Sequence, residues 1–315
     1  MYKQLLIVLS VVLLAAVVYV SDPAAVYSQI VSSDPAFLLW VFMIPPATAL
    51  LRTLRWKVLL DPVKRIRFFR IFPVFMAGIA ISNLTPAKVG EAAKSLFLKK
   101  SEGIRVSTSL SSIIWERVFD LMLLLAFAAP FGAYFVGTLE PGFVFLGRVA
   151  ILFVVAIVAL VMLMMYSERI GYKMLTFVER LPVIKNYVTE EFVKSFYRTA
   201  RVGKGTLTAA FLISIPIWVL DGAIFYFSFL AVGIHGLGWA FFVGATAFTV
   251  LCGLVSFLPG GWGSTEAVFL AIMVVYGITK SSAAAGILLG RGIGMMFYYI
   301  VGLLSFLYLS KMKPQ

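Results

Sequence analysis

Apolar residues run through this chain in long unbroken stretches, separated by short polar intervals rather than alternating with them. Stretches of about 20 such residues cross a bilayer core of about 30 Å as helices. The pattern predicts spans near 4–20, 36–54, 109–134, 143–165, 206–232 and 282–310. Two further stretches, 71–98 and 239–279, are apolar but interrupted. The second arm of the first, Lys88 to Lys100, is too charged to cross hydrocarbon, so that segment reads as a re-entrant hairpin. Both arms of 239–279 are apolar, and it reads either as a re-entrant hairpin or as two crossings. The expected fold is an all-α polytopic membrane protein with about six full spans and two interrupted or re-entrant hairpins, or eight spans if both cross. The apolar run from Leu5 to Val20 has no small-x-small cleavage site after it, and Ser21-Asp22-Pro23 reads as a turn, so an uncleaved first span is expected.

Composition agrees with this pattern. The chain is 62% hydrophobic and 13% charged, with a mean hydropathy of +1.01. Soluble domains carry about 25% charged residues, so 1–315 is expected to be one transmembrane domain without a soluble catalytic unit. Cys252 is the only cysteine and His235 the only histidine, which argues against disulfides, a histidine-based metal site or a Ser-His-Asp triad. No metal and no cofactor is expected.

Charge sets the expected orientation. Lys and Arg number seven in 52–70, five in 88–105 and eight in 169–204, whereas 21–35 has none. The positive-inside rule then puts both termini in the cytoplasm, as in a multi-pass plasma-membrane protein. The net charge of +13 is topological. It suits anionic lipid headgroups and gives no reason to expect nucleic acid. A candidate amphipathic helix over 187–202 would lie on the membrane surface.

The two interrupted stretches share a motif. The first contains Asn83, Pro86, Gly90 and Glu91; the second reads Leu258-Pro259-Gly260-Gly261-Trp262-Gly263-Ser264-Thr265-Glu266. Each has Pro-x-x-x-Gly followed by Glu-Ala, then a lone arginine in apolar sequence, Arg117 or Arg291, 31 and 32 residues after its proline. With six spans, the first hairpin enters from the cytoplasm and the second from outside. The halves, about 1–135 and 143–310, are therefore expected to form an inverted repeat around a midplane site with access from either side.

Candidate chemistry follows from these positions. Broken helices expose backbone groups that are tolerated at membrane depth only inside protein or along a cavity, and helix N-termini attract anions. Glu116, Arg117 and Asp120 share a helix surface, and Arg117 can pair with Asp120 one turn away. They read as an anion site with a carboxylate counter-ion, or as a structural ion cluster. Arg291 has no acid within one turn; it reads as a phosphate ligand, with a structural pair to Glu266 or Asp221 as the alternative. Arg52 and Arg55, beside Trp56, read as an interfacial anchor or as a recruiter of lipid headgroups.

Taken together, Arg52-x-x-Arg55-Trp56, the Asn83–Pro86–Gly90-Glu91 segment, Glu116-Arg117-x-x-Asp120 and Leu258-Pro-Gly-Gly-x-Gly-x-x-Glu266 resemble the flippase-like integral membrane family. This is the family of the transmembrane domain of lysylphosphatidylglycerol synthases. The resemblance covers roughly residues 5–310; the family commonly has a small aliphatic residue where Trp262 stands. It implies translocation of an anionic or aminoacylated phospholipid, or of a polyprenyl-phosphate-linked substrate, between leaflets. In the two-part synthases a separate cytosolic domain carries aminoacyl transfer, so no enzymatic activity is expected of this chain. Two alternatives stay open: a membrane partner of a separate glycosyl- or aminoacyl-transferase, and an intramembrane enzyme acting on a lipid phosphate.

Overall fold

The computed structural model describes residues 2–85, 90–136, 202–256 and 258–312, with isolated positions between 152 and 197. The expected span at 143–165 and amphipathic helix at 187–202, together with Pro86, lie outside the described residues. The described chain is helical throughout. It comprises α1 (Tyr2–Tyr19), α2 (Pro23–Val31), α3 (Pro35–Leu60), α4 (Phe68–Asn83), α5 (Ala93–Glu102), α6 (Val106–Val136), α7 (Lys204–Ala231), α8 (Trp239–Val255), a 3-10 turn (Pro259–Gly261), α9 (Ser264–Val275) and α10 (Lys280–Lys311).

Four of these helices, α3, α6, α7 and α10, are long and apolar enough to cross a membrane. They coincide with four of the spans expected from the sequence. α1 and α2 meet at an angle of 80°. The bend falls at Ser21-Asp22-Pro23, where Asp22 has φ 61° and its carboxylate accepts the N–H groups of Ala24 and Ala25 at 3.2 and 3.3 Å. The sequence reading made 21–35 a loop. An aspartate cap followed by proline in the first turn starts a second short helix there instead.

Both interrupted stretches fold as helix, break, helix. α4 ends at Asn83, and the chain resumes at Gly90 in a single 3-10 turn before α5. α8 ends at Val255, and α9 starts at Ser264. At 1.5 Å per residue the 12 residues of α9 reach only about 18 Å, short of a bilayer core.

Each break has its own packed core. Trp56, Phe75, Met76 and Leu98 fill the space between α3, α4 and α5. Phe229, Phe242, Phe269 and Met273 fill the space between α7, α8 and α9. α10 joins the two: Ala283–Ile287 belong to the second core and Leu309 to the first. Its close approach to α4 depends on Gly302, where a Cβ would lie 2.4 Å from that of Ala80. Large apolar side chains such as Leu39, Trp40, Leu303 and Leu304 point outward, as lipid-facing residues do.

Candidate functional site

A lattice of ion pairs lies between α3, α5, α6 and α7. Arg55 is its centre. Its guanidinium donates to Asp120 at 2.6 Å, to Glu116 at 3.2 and 3.3 Å, and to the Ser214 hydroxyl at 3.1 Å. Lys94 donates to the other Glu116 oxygen at 2.7 Å, and its ammonium lies 5.1 and 4.9 Å from the ring centroids of Trp56 and Phe75. Asp120 also accepts the indole N–H of Trp218 at 3.0 Å and pairs with Arg117 at 2.7 Å. Arg117 reaches Glu91 at 3.1 Å. Arg55, Lys94, Glu116 and Asp120 are all buried. A lone charge at a helix centre costs about 2.5–3.5 kcal/mol on insertion scales. Here each sign is neutralised by the other.

Around the second break the arrangement is simpler. Arg291 pairs with Glu266 at 2.7 Å and donates to the carbonyl of Gly260 and the hydroxyl of Thr265. Its guanidinium lies over Trp262, 5.4 Å from the ring centroid. Glu266 sits in the first turn of α9 and accepts the N–H of Gly263 at 2.7 Å, an N-terminal cap that fixes the carboxylate. Gly260, Gly261 and Gly263 have φ of 58°, 68° and 82°, which only glycine adopts without strain. The two breaks also meet. A Cβ on Gly260 would lie 2.9 Å from the carbonyl oxygen of Asn83.

The two halves form the same local pair. Glu91 follows the first break and is bound by Arg117 of the next long helix; Glu266 follows the second and is bound by Arg291 of the next long helix.

Between the breaks lies a cleft with about 1260 Å³ of empty space, its open mouth included. α3, α4, α7, α8 and α10 wall it with apolar side chains such as Ile44, Ile79, Ile224 and Val250. Its polar groups include Arg52 and Asp221, paired to each other; Arg291 and Thr265; Asn83 and Glu91; Thr246 and Trp218; and Thr48, whose hydroxyl lies 3.0 Å from that of Tyr298. Backbone from Gly260 and Gly261 completes the wall. An apolar cleft with two guanidinium groups and an exposed break suits a ligand with a compact anionic head and an apolar body.

Of the residues singled out in the sequence, the cleft brings together Arg52, Arg291, Asn83, Glu91, Gly260 and Gly261. Glu266 stands behind Arg291, and Pro259 is buried in the break. Gly263 packs on α1, where a Cβ would lie 2.4 Å from that of Leu13. Gly90 donates its N–H to Thr85 at 2.8 Å. Arg55, Glu116, Arg117 and Asp120 belong to the ion lattice and do not line the cleft. Arg55 and Trp56 are fully buried rather than interfacial, and Trp56 donates to Ser112 at 3.0 Å. Sequence reasoning missed Lys94, Thr48, Trp218 and Tyr298 and gave Asp221 only as a partner for Arg291. Lys94 stands one turn after Glu91, and Asp221 is a lone acid in an apolar span; those spacings were the available signals.

The family model described as the lysylphosphatidylglycerol synthase TM region matches residues 6–302. The chain belongs to that family. A UPF0104 membrane protein of Methanocaldococcus jannaschii is 22% identical over 98% of this chain and 95% of its own length. Another, of Methanothermobacter thermautotrophicus, is 26% identical over 93% of this chain and 90% of its own. A phosphatidylglycerol lysyltransferase of Staphylococcus epidermidis is 32% identical over 102 residues, 32% of this chain and 12% of that protein. As a member of the lysylphosphatidylglycerol synthase TM-region family with four membrane-length helices, the chain is a multi-pass membrane protein.

Proposed function

We propose that this protein moves an anionic lipid, a phospholipid or a polyprenyl phosphate, between the leaflets of the membrane. The observation that carries the proposal is the cleft between the two breaks, where Arg52 and Arg291 stand in otherwise apolar walls. The head of the lipid would sit against the two guanidinium groups, and its tails along the apolar walls. The matched Glu91–Arg117 and Glu266–Arg291 pairs support reading residues about 1–135 and 143–310 as repeats, and the charge bias of the loops supports an inverted relation between them with both termini in the cytoplasm. Rocking of one repeat against the other would open the cleft to each side in turn.

Reconstitution tests this. Purified protein in liposomes with fluorescent phosphatidylglycerol or polyprenyl phosphate should bring the inner-leaflet label within reach of an external quencher, at least tenfold faster than protein-free liposomes. Arg291→Ala should abolish most of that rate. No exchange of any of these lipids overturns the reading. The partial likeness to a phosphatidylglycerol lysyltransferase favours a second reading, a membrane partner for a separate lipid-modifying enzyme. That reading predicts no exchange by the protein alone and co-purification with such an enzyme.

A further inference from the structure

The charges around the cleft cancel among the described residues. Arg52, Arg55, Lys94, Arg117 and Arg291 stand against Asp221, Glu116, Asp120, Glu91 and Glu266, and each cation is in contact with at least one of those carboxylates. The empty site is therefore already neutral. A lipid phosphate entering it adds a negative charge in a region of low dielectric, and it must also displace a carboxylate from any arginine it binds. One carboxylate has to yield, and the geometry singles out which.

Glu116 and Asp120 are locked into the lattice by several donors each, and neither lines the cleft. Glu266 is 1% exposed and held by the backbone N–H of Gly263 as well as by Arg291. Glu91 lines the cleft but is 4% exposed and bound by Arg117 behind it. Asp221 is different. Its side chain is 25% exposed, it lines the cleft, and its partner Arg52 lines the cleft too. The charged and titratable groups facing Asp221 and its partner are Arg52 on α3, Tyr298 on α10 and, around Arg52, Arg55 on the same helix, Asp120 on α6 and Glu91 after the first break. From α10 Arg291 lines the same cleft. α8 supplies Thr246 and Val250 to the wall, and its Cys252 is not part of it.

We infer that Asp221 is a proton-binding carboxylate that exchanges places with the lipid phosphate on Arg52, so that one proton enters the site with each lipid. In the empty site Asp221 is ionised and paired with Arg52. When the phosphate takes the guanidinium, the Asp221 carboxylate loses its counter-ion and takes up a proton from bulk solution through the open cleft. The net charge of the site is unchanged, and the proton leaves when the lipid leaves and Arg52 returns. The inference rests on the lipid reading above in taking a lipid phosphate as the anion. It adds a second transported species and a residue that carries it.

Calorimetry tests it directly. Short-chain phosphatidylglycerol is titrated into the detergent-solubilised protein in buffers of different ionisation enthalpy, which counts protons exchanged per lipid bound. The phosphodiester does not itself titrate near neutrality, so any proton counted belongs to the protein. The expected result is uptake of about one proton, with affinity falling as pH rises. Asp221→Asn should bind lipid with no proton uptake and a flat pH profile. Asp221→Glu should restore the uptake, which separates the proton role from a purely structural one. Glycerophosphoglycerol, the headgroup without acyl chains, should bind at least tenfold more weakly. Lipid binding without proton uptake, unchanged uptake in Asp221→Asn, or no lipid binding overturns the inference. Proton-linked binding in a protein that gives no leaflet exchange overturns the translocation reading and the transport of the proton with it, and leaves the exchange of Asp221 for lipid phosphate on Arg52 standing.

Discussion

At Gly260 backbone geometry, ligand chemistry and helix packing meet in one residue. Its φ of 58° lets its carbonyl reach Arg291, and its missing Cβ lets Asn83 approach. Gly260→Ala therefore combines left-handed strain with a steric overlap, and should lower stability by about 1–3 kcal/mol. Gly277 has φ 79° and open space around it, so Gly277→Ala isolates the strain component. Thermal unfolding in detergent should show the larger loss for Gly260→Ala. Arg55 makes the opposite kind of contribution. Arg55→Met would leave Asp120 and Glu116 short of a buried counter-ion, at a cost of about 3–5 kcal/mol. The same measurement should show a marked fall in unfolding temperature, and equal stability of the variant and the parent would refute the lattice's structural role. In sequence Arg55 stands with Arg52 and Trp56 ahead of a basic loop, which is the ordinary context of an interfacial anchor. Only the packing of α6 and α7 around it reveals a buried hub, and that is a tertiary fact.

Elements were the most legible scale. The long apolar runs gave α3, α6, α7 and α10, and Pro-x-x-x-Gly marked both breaks, because length and proline act locally. α2 was obscured by its polar start, although Asp22-Pro23 is a helix-opening signal. Lys94 was obscured because its arm carries so many other charges that it read only as the returning arm of a hairpin, with no one lysine set apart. Gly78 explains its burial: a Cβ there would lie 2.2 Å from Cγ of Lys94, so the α4 surface is hollowed to take the lysine stem. The α4–α10 contact is similarly close at Gly302. Gly302→Leu should overpack this contact and cost about 1–3 kcal/mol, while Gly292→Leu, facing open space, should be near neutral. Equal effects of the two would mean that α4 and α10 are not packed at this point.

For the whole molecule, the proposed orientation rests on charge bias. Arg52, Arg55 and Lys94 must be removed from the cation count of the loops because they are buried around the cleft. The remaining basic residues of 52–70 and 88–105 still outnumber those of 21–35, where there are none. In a Cys252→Ser background, a cysteine at His235 should react with a membrane-impermeant maleimide in intact cells, and one at Arg67 should react only after permeabilisation. Labelling of both from one side would reverse the proposed topology and remove the inverted relation between the halves. The proposed relation rests on spacing and charge; the Glu91–Arg117 and Glu266–Arg291 contacts, which mark the repeat without its direction, need coordinates to be seen.

The contact between α1 and Gly263 has a consequence for the order of assembly. α1 leaves the ribosome well before the glycine it packs against, which is made about 250 residues later. It must therefore wait in the bilayer without this neighbour while the intervening helices are synthesised. An early helix is in this sense locked late. A chain begun after α1 would insert its remaining helices but leave the second break without its outer wall, and the missing helix, supplied as a separate peptide, should dock there late and restore it.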